Sequence, residues 1–167
     1  MMLRRGVGGL YVNGVVARYQ RSGTPAAAIS LRGDQTWDRY ENGLMGIHSI
    51  YFTDNDQIFQ EGPAPGAGEG AQYALDLAEF GLEEGDVPTA DLFVSLPLAT
   101  AGANAAAFDW RPAPGSPIAS GGLMDFSIFP TALQQAAAGF VTPTAYRGAA
   151  DPDGARWWEG WTYYAQN

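Results

Sequence analysis

Between residues 10 and 53 the chain carries three short runs rich in β-branched and aromatic residues, Leu10–Tyr19, Ala27–Leu31 and Met45–Thr53, separated by Gly, Asp and Ser clusters. Runs this short and this densely punctuated read as strands. Their spacing narrows the fold further. Val12-Asn13-Gly14-Val15-Val16 laid on Ile47-His48-Ser49-Ile50-Tyr51, an offset of 35, matches apolar, polar, small, apolar and large residues in order. Ala28-Ile29-Ser30-Leu31 falls about halfway between them. A strand pattern repeated at a period of about 20 to 50 residues is what a solenoid produces, because each coil buries its apolar face on the next. The expectation is a solenoid of one and a half coils. A β-sandwich meander with coincidental spacing is the competing architecture.

Beyond residue 60 the organisation changes. Residues 61–70 hold four Gly and two Pro and form a loop. Ala71–Phe80 groups Tyr73, Leu77 and Phe80 with Ala74 and Leu75 on one broad side, which predicts a short amphipathic helix closed by Gly81. Glu83-Glu84-Gly85-Asp86 reads as a solvated turn, Leu92–Leu96 as a strand, and Ala99–Ala119 as an extended surface segment. Thr131–Ala138, with Pro130 at its start and Gly139 as its cap, predicts a second helix. One domain is expected: coils over 1–60, a loop-rich insertion over 61–119 with a short helix and strand, and a small helix with a Trp-rich cap over 120–167.

Composition limits the chemistry. The nine basic residues are all arginine, so Schiff-base and lysine-base mechanisms are excluded. Cysteine is absent, which removes disulfides, thiolate nucleophiles and Cys-ligated metals. A net charge of −9 without an Arg cluster offers no footprint for a phosphate backbone, so nucleic acid is not an expected partner. No stretch approaches the ~20 apolar residues that span a bilayer, and the N-terminal residues lack the apolar core of a signal peptide.

Four groups of residues are candidates for chemistry or binding. Asp54 and Asp56 follow a predicted strand and suit an acid and base for sugar cleavage, as in a polysaccharide lyase or glycoside hydrolase, with Arg32 or Arg39 holding an acidic sugar; turn formation explains the same aspartates. His48 is the chain's sole imidazole and the candidate base of a small esterase. Strand alternation directs it away from Ser49, which argues against a nucleophilic pair. Asp151 and Asp153 supply hard oxygen ligands suited to calcium, without completing a twelve-residue calcium loop. Trp157, Trp158 and Trp161 concentrate at the C-terminus, either as a stacking platform for carbohydrate or as a cap over the last coil, with Arg156 stacked across the indoles.

The order Arg111-Pro112-Ala113-Pro114-Gly115-Ser116-Pro117, a small helix, Tyr146-Arg147-Gly148-Ala149, Asp151-Pro152-Asp153-Gly154 and Trp157-Trp158-Glu159-Gly160-Trp161-Thr162 resembles the C-terminal region of exported bacterial right-handed parallel β-helix proteins, most without an assigned activity. Leu3-Arg4-Arg5-Gly6 followed by Tyr11-Val12-Asn13-Gly14-Val15-Val16 is similar to the last coils of such proteins. The resemblance spans about half of the chain. It implies a mainly β, short right-handed parallel β-helix with an aromatic C-terminal cap, and a secreted or cell-surface setting. It also implies that most upstream coils are missing, which would leave an unpaired, apolar end. A homodimer through that N-terminal end is the expected remedy. The function expected is a non-catalytic structural or binding module contacting polysaccharide; a carbohydrate-active enzyme is the alternative.

Overall fold

The computed structural model describes residues 1–20, 22, 26–60, 62–96 and 108–159. The first sixty residues form strands β1 (Met2–Arg4), β2 (Gly9–Val12), β3 (Val15–Ala17), β4 (Ala27–Arg32), β5 (Met45–His48), β6 (Tyr51–Thr53) and β7 (Gln57–Phe59). Helix α1 (Asp34–Glu41) lies between β4 and β5. Then come β8 (Gln72–Tyr73), β9 (Glu83–Glu84), α2 (Thr89–Leu92), β10 (Phe93–Ser95), β11 (Asp109–Pro112) and α3 (Thr131–Ala137).

The expected β-helix is not what these strands build. They sit in separate small sheets: β1-β4-β7 with β8 also on β4, β3-β6-β9, β2-β5, and β10-β11. The pairs β1-β4, β2-β5, β3-β6, β4-β7 and β6-β9 are parallel, whereas β4-β8 and β10-β11 are antiparallel. A single solenoid needs one coil length, and here the step varies. Leu3 lies opposite Leu31, Ala27 opposite Gln57, Tyr51 opposite Glu83, and Val12 opposite His48.

The repeat is real between β2-β3 and β5-β6, but its offset is 36 rather than 35. Val12 pairs with His48 and Val15 with Tyr51. Matching by side-chain class misses because the two segments share a backbone bend. Asn13 and Ser49 each adopt φ +54, and each breaks its run into two strands. Asn tolerates this left-handed region better than most residues.

The core follows from the central place of β4, whose Ala27–Leu31 are all buried. Ile29 and Leu31 pack with Leu3, Ile47, Ile50, Phe52 and Ile58. Tyr51 points the other way, into a second cluster with Leu92 and Ile118. Each fully buried large apolar side chain contributes roughly 1.5–3 kcal/mol relative to exposure.

Several local expectations change. The helix over 71–80 is replaced by β8 and a turn: Ala71, Tyr73 and Leu75 are buried while Gln72, Ala74 and Asp76 are not, a period of two. Glu83-Glu84 is a strand on β6 rather than a free turn. Leu92 ends a helix and is fully buried, and only Phe93–Ser95 is strand. Helix α1 has no apolar face in the usual sense, since Thr36 is its one buried residue, but Trp37 and Tyr40 rest against the core. Helix α3 forms as expected, and Gly139 follows it at φ +75. The part of Ala99–Ala119 up to residue 107 lies outside the described residues; beyond it, β11 and a 3₁₀ turn at Pro117–Ala119 form.

The C-terminal segment returns to the first strands. Gly148 donates its N–H to the Asn13 carbonyl at 2.6 Å, and Asn13 bonds to Leu123 and Thr144 through its side chain. Leu10 and Phe129 both close on Gly46, where an added Cβ would meet Phe129 at 2.7 Å.

Candidate functional site

The bend at Asn13-Gly14 sets the floor of an aromatic cleft. Strand β11 brings Trp110 to it, β10 brings Phe93, and the turn after Ala149 brings Trp157 and Trp158. With Val12, Val15, Gly148 and Ala149 they enclose about 630 Å³. Trp157 is 50% exposed, whereas Trp158 is 2% exposed. The indoles meet edge to face, with centroids 5.6 Å apart and planes at 89°. Each is held by its N–H: Trp157 Nε1 donates to Ala149 O at 2.8 Å, and Trp158 Nε1 to Phe108 O at 3.2 Å. Trp110 stacks on Phe108 at 5.8 Å and 18°, and Phe93 meets its edge at 6.0 Å. The bonded N–H groups orient both indoles, and burial also fixes Trp158, so the cleft wall is preformed.

Of the predicted aromatic set, Trp157 and Trp158 therefore share one site, and Trp161 lies outside the described residues. Trp110 and Phe93 were missed by sequence reasoning. A strand that alternates Asp109, Trp110, Arg111 was the available signal: Asp109 and Arg111 pair with each other at 2.6 Å on one side, which sends Trp110 to the other. Arg156 bonds Glu159 at 2.9 Å.

His48 is half-buried, and its surroundings correct one expectation. Its Nδ1 lies 2.7 Å from Ser49 Oγ, because Ser49 sits in the left-handed bend and strand alternation does not extend through it. Phe129 meets the imidazole edge-on at 6.4 Å, and Gly81 lies against it so closely that a Cβ there would fall 2.8 Å from Cε1. Burial, and then the positive charge of Arg147, push the imidazole pKa down, so it is neutral at pH 7. Ser49 is 4% exposed. The hydroxyl is buried against the ring.

Arg147 itself is 6% exposed. It bonds Glu83 at 2.6 Å, lies 5.9 Å from the Tyr51 ring centroid, and has no partner for its buried Nε among the described residues.

Asp54 also adopts a left-handed φ, +53. Its Oδ2 accepts both the backbone N–H of Thr89, at 2.7 Å, and the Thr89 hydroxyl, at 2.6 Å, which caps α2. These two bonds hold its carboxyl below the usual range. Asp56 accepts the Ala26 N–H at 3.0 Å. The depression of about 390 Å³ beside Asp54 is lined by Glu84 and Asp86, not by Asp56, Arg32 or Arg39. Arg32 donates to the Glu69 carbonyl at 3.1 Å, and Arg39 borders a separate hollow with Arg5 and Asp38. Asp151 Oδ1 accepts the Asp153 N–H at 2.9 Å, an Asx turn. Among the described residues no group of three or more His, Asp or Glu gathers to hold a metal ion.

No helix among the described residues is long and apolar enough to cross a membrane. Comparison with known protein families, with curated proteins and with solved structures found no match.

Proposed function

We infer that the protein is a non-catalytic binding module that takes carbohydrate in the aromatic cleft. The observation that carries this reading is the convergence of Trp110, Trp157, Trp158 and Phe93 on one preformed cavity of about 630 Å³, within the usual range of ligand sites. Sugar rings present flat C–H faces that stack on indoles, and Trp157 offers such a face at its 50% exposure. The carboxylates that hydrolysis or elimination would require support the non-catalytic side, since Asp54 caps α2 and Asp56 bonds Ala26. A polysaccharide target fits a secreted or cell-surface setting. In this reading β1, which pairs on one margin only among the described residues, is where a second copy adds; a dimeric mass by light scattering is the expected result.

Titration of tryptophan fluorescence with neutral and acidic oligosaccharides tests the proposal. Saturable quenching is expected, and Trp157→Ala abolishes it while leaving the unfolding midpoint close to wild type. Binding unchanged in both Trp157→Ala and Trp110→Ala, or none across the panel, overturns it. Turnover of a polysaccharide that disappears in Asp54→Asn would establish the enzymatic alternative instead.

A further inference from the structure

A second cavity, of about 700 Å³, lies on another part of the molecule from the aromatic cleft. Its floor is β5, from Met45 to His48; one wall is the end of α1, with Tyr40 and Glu41, and another is the turn at Glu79-Phe80. The segment Ile128–Pro130 closes the remaining side. The walls are aromatic: Tyr40 and Phe80 meet at 5.8 Å and 66°, and Phe129 stands edge-on to His48.

The charged side chains that line this cavity are of one sign, while the buried Arg147, whose charge reaches His48 from outside the lining, is paired with Glu83. Glu41 and Glu79 both border it, and no arginine is among its lining residues. Among the described residues neither carboxylate forms an ion pair. Glu41 is fixed by the Trp37 indole N–H, which donates to its Oε1 at 2.9 Å, so one carboxylate is already oriented. The field of the two glutamates reaches into the cavity: burial first, then Glu79 and Glu41, push the Tyr40 phenol pKa up. His48 adds no opposing charge, because its imidazole is neutral at pH 7.

We propose that this cavity binds a small organic ammonium with an apolar or aromatic body. The ammonium sits between Glu41 and Glu79 beside the rings of Tyr40 and Phe80, and the body lies against Phe129 and His48. Aromatic faces attract cations, more strongly where water is excluded, and the carboxylates supply the charge complement. An anionic ligand of the same shape is repelled, and a neutral one keeps only the apolar contact. This site stands independently of the carbohydrate cleft.

His48 is the sole histidine in the chain, so its ring proton resonances report on this cavity alone. The full chain is titrated with 2-phenylethylamine, 2-phenylethanol and phenylacetate at pH 7. Saturable movement of the His48 signal is expected with the amine, at an affinity at least about fivefold above that of the alcohol, and none with the acid. Glu79→Gln and Glu41→Gln, both at exposed positions, each weaken the amine about two- to fivefold and leave the alcohol unchanged. Equal affinity for amine and alcohol overturns the proposal, as does a His48 signal that stays still throughout. Amine affinity unaltered in both glutamine variants overturns it as well.

Discussion

Asn13 and Leu123, 110 residues apart, exchange hydrogen bonds: Leu123 N–H donates to Asn13 Oδ1 at 2.6 Å, and Asn13 Nδ2 donates to Leu123 O at 3.3 Å. The same amide reaches Thr144 O at 3.2 Å and Thr144 Oγ1 at 3.1 Å. One side chain in the first bend thus ties two stretches of the C-terminal segment to β2 and β3.

Asn13→Ala is expected to destabilise the protein by about 2–3 kcal/mol, since it leaves buried partners unpaired and forces a β-carbon residue without a compensating bond into φ +54. Asn13→Gly removes the same bonds but relieves the backbone, so it should be less harmful by roughly 1 kcal/mol. Urea denaturation of the two variants checks both numbers.

Asp54 is predicted to be a structural cap. Asp54→Ala should cost about 1–2 kcal/mol, from the lost bonds to the first N–H and hydroxyl of α2 and the left-handed φ that alanine tolerates less well, and Asp54→Asn less, because an amide oxygen still accepts from Thr89. The folded carboxyl titrates below its ordinary value. Its contribution is therefore complete above the unfolded value near 3.9 and is lost as pH falls through the lower folded value. Thermal midpoints measured from pH 6 down to pH 2 should decline in the wild type more steeply than in Asp54→Ala.

The Tyr73 hydroxyl donates to Asp34 at 2.5 Å, and the Tyr73 ring stacks on Trp37 at 4.4 Å and 6°. Burial first, then the bond to Asp34, pushes the phenol up to about 12. A group whose folded pKa is raised contributes fully below its unfolded value, about 10 for tyrosine, and is lost as pH rises through the folded one. Stability should therefore fall between about pH 10 and 12. Tyr73→Phe should lower the midpoint at pH 7 while flattening this alkaline decline, which absorbance-monitored melts will show.

Gly85 lies against Tyr51, and a Cβ at residue 85 would overlap the Tyr51 hydroxyl. Tyr51 is 1% exposed and cannot swing away. Gly85→Ala should cost about 1–3 kcal/mol by overpacking. In a Tyr51→Phe background, where the hydroxyl is gone, the same substitution should cost measurably less; additive losses would refute the contact.

Much of the local structure is legible in residue order. The strands between residues 10 and 53 announce themselves by β-branched runs, and α3 by Pro130 and Gly139, since both depend on neighbours a few residues away. The alternation of Ala71, Tyr73 and Leu75 was also present, but a helical grouping of the same residues competes with it until β8 is seen lying on β4. Helix α1 was hidden because its apolar content, Trp37 and Tyr40, is outnumbered by charge.

The sites divide in the same way. Residue types alone exclude thiol and lysine chemistry and single out Trp157, Trp158 and His48. Only the tertiary structure decided that Trp110 joins the indoles, that Ser49 turns toward His48, that Asp54 caps α2 and that Glu41 and Glu79 share a cavity. Side-chain class and strand period are properties of adjacent residues. Register is not: a shift from 35 to 36 residues between β2 and β5 depends on backbone bends at Asn13 and Ser49 and on contacts as distant as Leu123, whose energy is gained only when the whole chain closes.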